Sequence, residues 1–203
     1  MSRERLGISL ASAGSSRHHP RVDHSDDMTG ALSVRAALAA DVEQIRALAI
    51  GNGMFEPEDM SGFDEGLDGY LSGSAEGHTW LVATGVTGRV EGAAYVAPEP
   101  FGDRVWNLYF LAADPSRHRR GAGSALVQHV EQSLREAGAD VARVLIVETS
   151  SSAAYDGARR FYASRGFDRE AVIREFYGPG EDKIVFWKSL VPDADHRIPP
   201  GPP

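Results

Sequence analysis

A basic, glycine-containing segment in the middle of the chain carries residue types that suit anion binding. It reads Arg117-His118-Arg119-Arg120-Gly121-Ala122-Gly123-Ser124, and a helical pattern of apolar residues follows at once. The N-terminus of a helix presents unpaired N–H groups and a partial positive charge. Glycines let the backbone approach a ligand closely, and the arginines add mobile positive charge. The segment therefore predicts a pyrophosphate site rather than only a basic loop before a capped helix.

Two common nucleotide-binding motifs fit this segment poorly. Gly121 and Gly123 supply a G-x-G, but Leu126 stands where a dinucleotide fingerprint has its third glycine. Several charged residues also precede Gly121, where that fold needs a tight turn after a strand. The chain has no Gly-Lys-Ser/Thr for a P-loop. A Rossmann-type nucleotide-binding oxidoreductase is therefore the minor alternative.

Composition limits the class of protein around this segment. The chain has 203 residues, which suits one domain, and a net charge of −8, which argues against a general nucleic-acid partner. It has no cysteine, which excludes disulfides, thiolate metal sites and a cysteine nucleophile. No run of about 18 apolar residues exists, so we expect no membrane span. We expect a cytoplasmic protein with no metal and no membrane partner.

Apolar periodicity predicts the element order β-α-α-β-β-β-α-β-α-β-β. The predicted strands are 32–36, 79–84, 89–96, 105–112, 141–147, 169–177 and 183–190. The predicted helices are one starting at Asp41, then 57–72, 121–137 and 152–165. This order is typical of an α/β fold in which helices pack on a mixed sheet.

The two ends of the chain differ from its middle. Residues 1–30 show no helical or strand periodicity and are predicted to form a disordered leader. Residues 192–203 are proline-rich and predict an extended tail. The predicted folded domain is therefore 31–191.

The basic segment and a later block together resemble the GCN5-related N-acetyltransferase (GNAT) superfamily. Residues 118–123 match Gln/Arg-x-x-Gly-x-Gly/Ala, which grips the pyrophosphate of acetyl-CoA in that family, with His118 at the first position. Residues 158–167 match Ala-x-x-Phe-Tyr-x-x-x-Gly-Phe. Tyr155 stands where many members have asparagine. The predicted element order resembles the family's from residue 32 to residue 190.

The resemblance implies a mixed, centrally splayed β-sheet flanked by helices, and an N-acetyltransferase. Such an enzyme moves an acetyl group from acetyl-CoA to a primary amine. Direct attack in a ternary complex is favoured over a covalent acetyl-enzyme, because the chain has no cysteine to carry the group. The residues implied to bind acetyl-CoA are Leu111, Ala113, His118, Arg119, Arg120, Gly121, Ala122, Gly123, Ser124 and Tyr155.

Two residues are implied to act in catalysis. The motif tyrosine, Tyr162, would give a proton to the departing thiolate, since a phenol with a pKa near 10 is protonated at neutral pH. Its alternative role is packing on the inner face of a helix. Glu148, expected at the end of a buried strand, is the candidate base that removes the amine's proton. Its alternative role is to cap or orient a loop.

An acidic region between Arg46 and Arg89 suits a cationic acceptor amine, because a negative rim raises the local concentration of cations. A solvated helix face is the alternative. The sequence does not decide whether the acceptor is a small molecule or a protein lysine or N-terminus. It also does not decide whether the chain forms a homodimer. A non-catalytic acyl-CoA-binding regulatory domain is the main alternative function. The acids are Glu56, Glu58, Asp59, Asp64, Glu65, Asp68 and Glu76; candidate aromatic walls are Phe55, Tyr70, Trp106 and Tyr109.

Overall fold

Seven strands of this protein form one open sheet with helices on both faces. The computed structural model describes residues 32–117 and 120–191. The strands in these ranges are β1 Ser33–Ala36, β2 Thr79–Thr84, β3 Val90–Pro98, β4 Val105–Ala113, β5 Val144–Ser150, β6 Asp168–Gly178 and β7 Glu181–Ser189. The α-helices are α1 Val42–Gly51, α2 Ser61–Leu71, α3 Ala122–Ala137 and α4 Asp156–Ser164. The predicted leader, the predicted tail, His118 and Arg119 lie outside the described residues.

The strand order in the sheet is β1-β2-β3-β4-β5-β7-β6. Every neighbouring pair is antiparallel except β4 and β5, which are parallel. The helix α3 forms the crossover between those two parallel strands, as such a connection requires. The mixed α/β fold predicted from the sequence is confirmed.

The centre of the sheet is splayed between β4 and β5. Their described pairing covers three rungs, from Val105 opposite Val144 to Asn107 opposite Ile146. Beyond these rungs β4 continues to Ala113 and β5 to Ser150. One edge of β4 therefore faces a gap rather than a strand, and the predicted central splay is confirmed.

Apolar side chains form one cluster on each face of the sheet. Alternate residues of a strand point to opposite faces, so a single strand contributes to both clusters. The helices α3 and α4 cover one face through Leu126, Val130 and Tyr162. The helices α1 and α2 cover the other face through Ile45 and Phe63. A gap in the middle of the sheet is therefore flanked by helices on both sides.

Two element boundaries differ from the prediction in ways that affect the site. The strand predicted at 141–147 begins at Val144, because residues 138–142 form a turn in which the N–H groups of Val141 and Ala142 donate to the Gly138 carbonyl. The strand ends at Ser150, so the predicted position of Glu148 at a strand end was wrong. The helix predicted at 152–165 begins with a separate 3-10 turn, Ala153–Tyr155.

Candidate active site

The N-terminus of α3 has the geometry of an anion site. Gly121 precedes the helix with φ of 90°, a left-handed conformation that favours glycine. The main-chain hydrogen bonds of α3 begin where the N–H of Ala125 donates to the Gly121 carbonyl, at 2.8 Å. The N–H groups of Ala122, Gly123 and Ser124 come before this bond and so lack acceptors within the helix. These donors fit the pyrophosphate that the sequence predicts at this segment. We call residues 118–124 the phosphate cradle.

A glycine in β3 lets α3 lie directly on the sheet. A Cβ atom built on Gly92 would come 3.0 Å from the Ala112 carbonyl oxygen. It would also come 3.1 Å from both the Ala122 Cβ and the Leu126 Cδ1. Any larger residue at position 92 would therefore push the start of α3 away from β4. The sequence alone offered no signal for this role.

Ion pairs with buried carboxylates anchor the loop that leads into the cradle. Arg117 donates to Glu91 at 2.7 Å, and Arg89 donates to Asp114 at 2.9 Å. The Ser116 N–H and hydroxyl also donate to Asp114, at 2.9 and 2.6 Å. Burial would raise the pKa of Asp114, but these hydrogen bonds and the two arginines together lower it. Arg117 is therefore committed to the fold rather than to a ligand.

Two other arginines lie near the start of α3. Arg120 is exposed at the entrance of the cradle. Arg165, from the end of α4, donates to the Ser124 hydroxyl and lies 5.2 Å from the centroid of the Phe161 ring. Sequence reasoning missed Arg165, although it stands inside the second motif block. Because Ser124 is 41 positions away, only the fold brings the two together.

The gap between β4 and β5 is bordered by the backbone of β4, and a buried amide oxygen lies at the last rung that the two strands share. Leu111 packs its side chain into the cluster under α3 and α4, so only its backbone can face a ligand. The Ala113 carbonyl accepts from the Asn52 side chain at 3.1 Å. The amide oxygen of Asn107 is buried at the last shared rung and lacks a hydrogen-bond partner in the described structure. Tyr155 stands at the start of α4 on the far side of the connection from β5.

The candidate base, Glu148, is held by a lysine that sequence reasoning missed. Lys183 of β7 donates to Glu148 Oε2 at 2.9 Å, and its ammonium lies 3.6 Å from the centroid of the Phe176 ring. The Lys183 side chain is only 10% exposed, and that of Glu148 is 23% exposed. Glu148 is therefore the more accessible partner of the pair.

A second tyrosine, Tyr177, accompanies this ion pair. Its hydroxyl is buried without a hydrogen-bond partner among the described residues. Burial raises the pKa of Tyr177, and the charges of Glu148 and Glu181 and the nearby Tyr155 raise it further. The phenol therefore stays neutral and can donate to, or accept from, a group that enters the site.

A bulge in β6 brings Tyr177 to this position. Ile173 pairs with Lys183, and the next described rung pairs Gly178 with Glu181, so the segment between them is looped out. Glu175 lies in this segment with φ of 52°, and its N–H donates to the Asp182 side chain at 2.9 Å. Bulges commonly re-aim side chains next to active sites. The sequence placed a rim at this hairpin but did not reveal the bulge.

Aromatic side chains form a second wall beside Glu148. The Tyr109 hydroxyl donates to Glu99 Oε2 at 2.5 Å, and its ring stacks on Tyr95 with centroids 5.6 Å apart. Burial, the Glu99 hydrogen bond and the charges of Glu99 and Glu148 all raise the pKa of Tyr109. The Tyr95 hydroxyl in turn contacts His78 Nδ1 at 2.6 Å. Because the charge of Glu148 acts on Tyr109, this wall lies near the candidate base.

The other three predicted aromatic walls lie elsewhere. Phe55 packs against Phe63 with ring centroids 5.2 Å apart, and the Tyr70 hydroxyl donates to the Ala37 carbonyl at 3.4 Å. Trp106 donates to the Val141 carbonyl at 3.1 Å and packs against the cluster under α3 and α4. These rings are used for packing, because each is held by contacts within the fold.

The candidate acid, Tyr162, lies on the opposite face of the sheet from Glu148. Its ring is buried against Phe161, Phe167 and Phe186. Burial raises the pKa of Tyr162, so the phenol remains protonated at neutral pH. Its hydroxyl makes no hydrogen bond in the described part of the chain. The position of Tyr162 is compatible with both of its predicted roles, that of a proton donor and that of a packing residue.

The acidic region remains largely free for a cationic partner. Asp64 is paired with Arg46. The exposed acids of the region are Glu56, Glu58, Asp59, Glu65, Asp68 and Glu76. Within ranges 32–117 and 120–191, no group of three His, Asp or Glu residues could hold a metal ion. No helix in these ranges is long and apolar enough to cross a membrane.

Known proteins resemble this chain in sequence and in fold. The sequence profile of the acetyltransferase (GNAT) family matches residues 44–167. A solved structure from Desulfovibrio desulfuricans, assigned to the GNAT acetyltransferases, is 32% identical, with a TM-score of 0.71 over 79% of this chain and 100% of that one. No curated protein sequence matched.

Two more distant structures share the fold. An aminoglycoside 6′-N-acetyltransferase complexed with coenzyme A is 14% identical, with a TM-score of 0.63 over 80% of this chain and 99% of its own. The ribosomal-protein-S18-alanine N-acetyltransferase from Escherichia coli is 19% identical, with a TM-score of 0.60 over 83% of this chain and 99% of its own.

Proposed function

Because the chain belongs to the GNAT family of acetyltransferases, we propose that it moves an acetyl group from acetyl-CoA to a primary amine by direct attack in a ternary complex. The observation that carries this proposal is the position of the unpaired N–H groups of α3 at the end of the gap between β4 and β5. A diphosphate bound there would send its pantetheine arm along the free edge of β4.

The donor is bound mainly by backbone groups. The N–H groups of Ala122, Gly123 and Ser124 hold the pyrophosphate, and Arg120 adds charge. His118 and Arg119 join this set on the strength of the motif alone. The backbone of β4 from Leu111 to Ala113 holds the acetyl-pantetheine, and Tyr155 closes the site from α4.

Transfer then needs two proton movements on opposite sides of the sheet. Glu148 accepts a proton from the acceptor ammonium, directly or through water, which frees the nitrogen lone pair. The nitrogen forms a bond to the thioester carbon, and a backbone N–H of β4 stabilises the negative charge on the oxygen. The carbon–sulfur bond breaks, and Tyr162 donates its proton to the departing thiolate. The second proton that the nitrogen loses on becoming an amide returns through water to Tyr162, and Glu148 releases the first proton to solvent, so both residues regain their starting states.

The acceptor is a cationic amine that binds between the bulge of β6 and the Tyr109 wall. The exposed acids on and around α2 attract it electrostatically. The buried Tyr177 hydroxyl supplies a hydrogen bond that the described structure leaves unused. The fold neighbours act on an aminoglycoside and on a protein alanine. Both a small polyamine and a protein amine therefore belong in the first screen.

A thermal-shift titration followed by an assay of thiol release tests this function. Acetyl-CoA and CoA should raise the melting temperature, because a ligand that binds only the native state stabilises it, while NAD and NADP should not. Spermidine, kanamycin, free lysine and an alanine-terminated peptide should then be compared as acceptors. We expect at least one of them to release CoA thiol. We also propose that the enzyme is cytoplasmic, because acetyl-CoA is a cytoplasmic metabolite.

Each other outcome has a defined meaning. Stabilisation by NAD or NADP alone would contradict the phosphate cradle as a CoA site. Stabilisation by acetyl-CoA with no thiol release from a broad amine panel would favour the non-catalytic acyl-CoA-binding domain. The Glu148→Gln variant is the matched control for the thiol-release assay, because this change retains the side-chain shape and removes the base.

A further inference from the structure

The half-buried carboxylate of Glu99 has no cation partner among the described residues. Glu99 follows β3 directly, and its Oε2 accepts a hydrogen bond from the Tyr109 hydroxyl at 2.5 Å. Its other oxygen, Oε1, makes no hydrogen bond within residues 32–117 and 120–191. Arg104 of the same hairpin is paired with Asp103 instead, at 2.7 Å. Glu99 therefore offers a ligand an uncompensated negative charge and one free oxygen.

The hairpin between β3 and β4 holds Glu99 in place. The Glu99 N–H donates to the Val105 carbonyl at 2.8 Å, and the Glu99 carbonyl accepts from the Gly102 N–H at 3.0 Å. A Cβ atom built on Gly102 would lie 2.7 Å from the Val105 Cβ, so the turn closes tightly. Tyr109, whose ring stacks on Tyr95, fixes the carboxylate from β4. A ligand that binds Glu99 therefore orders little that is not already fixed.

Tyr109 and Glu148 lie on the same face of the sheet, on the two sides of the gap. Asn107 and Ile146 form the last shared rung of β4 and β5, and Tyr109 and Glu148 each follow it by two residues. Tyr109 packs against the cluster under α1 and α2. Glu148 points to that face too, because its neighbour Val147 packs into the cluster under α3 and α4. An amine at Glu148 therefore has Tyr109 on the other side of the gap.

Two carboxylates thus lie at the two ends of the Tyr109 side chain. Glu148 lies across the gap from its backbone, and Glu99 binds its hydroxyl. The charges of both carboxylates raise the pKa of Tyr109, which agrees with this arrangement. Lys183 balances the charge of Glu148 at 2.9 Å, whereas Glu99 has no such partner in the described ranges. A ligand that reaches both carboxylates must be about as long as a tyrosine side chain.

A buried amide at the inner end of the gap also lacks a donor. Asn107 is 1% exposed, and its Oδ1 has no hydrogen-bond partner in the described part of the chain. Its neighbours Trp106 and Leu108 pack in the cluster under α3 and α4, so Asn107 points to the face of Tyr109. The unused oxygens of Asn107 and Glu99 are acceptors. An ammonium group carries only donors and a positive charge, so it suits this part of the site.

We propose that Glu99 binds a second ammonium group of the acceptor, so that the acceptor is an aliphatic diamine or polyamine. One nitrogen loses its proton to Glu148 and is acetylated, while the other stays protonated and donates to Glu99. A monoamine would leave the charge of Glu99 uncompensated in the complex. This inference rests on the proposed acetyl transfer and narrows its acceptor to one class.

Steady-state thiol release with matched amines tests the inference. Putrescine and butylamine have the same carbon chain, and only putrescine has a second nitrogen. The wild-type kcat/KM should be about tenfold higher for putrescine, the usual worth of a charge-assisted hydrogen bond. In Glu99→Gln the ratio of the two kcat/KM values should fall to about one, because the amide carries no charge.

Two further variants separate binding of the second ammonium from other effects. Glu99→Asp withdraws the carboxylate by one methylene, so it should favour cadaverine, which has one methylene more than putrescine. Glu43→Gln removes the same charge from an exposed position of α1, and its ratio of kcat/KM values should equal that of the wild type. Circular dichroism and the acetyl-CoA thermal shift should be unchanged in all three variants, which excludes misfolding.

Calorimetric titration of putrescine into the CoA-saturated protein gives a test that does not depend on catalysis. The wild type should bind putrescine about tenfold more tightly than Glu99→Gln does. If no amine is acetylated but this difference in affinity persists, the proposed function fails and the diamine site stands. A wild type that does not prefer putrescine, or a Glu99→Gln variant with the preference and the affinity of the wild type, would overturn the inference.

Discussion

The ammonium of Lys183 lies 2.9 Å from Glu148 Oε2 across the neighbouring strands β7 and β5. In the register of these strands Glu148 is opposite Val185, and Lys183 is opposite Ser150, so the contact is a diagonal one on a single face of the sheet. Glu148 Oε1 has no hydrogen-bond partner within the described ranges. The pair therefore orients the carboxylate and leaves one oxygen for an incoming amine.

This pair predicts a strong and non-additive effect of mutation. Glu148→Gln should lower kcat about 100-fold, the usual contribution of a general base, with little change in the KM for acetyl-CoA. Lys183→Met should lower kcat less, because the base remains but loses its fixed orientation. The double variant should be no slower than Glu148→Gln, because the lysine acts through the carboxylate. Steady-state thiol release measures all three, and additive losses would mean that Lys183 acts separately.

Tyr177→Phe should affect the acceptor rather than the donor. The change removes a buried hydroxyl that has no described partner and keeps the ring, so the free energy of unfolding should stay level or rise by about 1 kcal/mol. The KM for the amine should rise about tenfold if the hydroxyl binds it, with the KM for acetyl-CoA unchanged. Thermal unfolding and substrate titrations measure both effects. An unchanged amine KM would remove Tyr177 from the acceptor site.

Tyr162→Phe should lower kcat at every pH at which the wild type works. Burial raises the pKa of Tyr162 above its ordinary value near 10, and an acid is effective only below its pKa. The wild-type rate should therefore not fall between about pH 7 and pH 10 through loss of this proton. A pH profile of kcat for both proteins tests this. An alkaline decline well below pH 10 that disappears in Tyr162→Phe would contradict the burial of the acid.

Two arginines of the cradle loop should respond differently to alanine. Arg120 is exposed, so Arg120→Ala should raise the KM for acetyl-CoA about tenfold and leave the melting temperature unchanged. Arg117 pairs with the buried Glu91, so Arg117→Ala should cost about 2 kcal/mol of stability by leaving a buried charge unpaired. Chemical denaturation and acetyl-CoA titration distinguish the two. Equal effects on stability would show that Arg120 is also structural.

Gly92→Ala should loosen the phosphate cradle from below. The new methyl group would lie 3.0 Å from the Ala112 carbonyl oxygen and 3.1 Å from the Ala122 Cβ. This crowding should lower the free energy of unfolding by roughly 1–3 kcal/mol and weaken acetyl-CoA binding. Gly66→Ala in α2 is the matched control. No atom lies within 4 Å of its built Cβ, so helix propensity should stabilise that variant by about 0.5–1 kcal/mol. Denaturation curves and calorimetric titration measure both variants.

The order of elements and the cradle could be predicted because both depend on neighbours in sequence. Apolar periodicity reports which face of a helix or strand is buried, and it placed all seven strands and the helix that begins at Ala122. Gly121 and Gly123 mark the start of that helix by their backbone freedom. The start of β5 was misplaced, because the turn that follows Gly138 uses apolar residues that also fit a strand.

The partners of the candidate base could not be predicted in the same way. Lys183 is 35 positions from Glu148, and their contact exists because β7 lies between β5 and β6 in the sheet. The bulge that brings Tyr177 to them depends on a register shift and a left-handed Glu175. Helix starts and turns depend on hydrogen bonds between residues that are close in sequence, so a short segment can form them by itself. Strand order, splay and bulges are decided only when the whole sheet packs against both layers of helices.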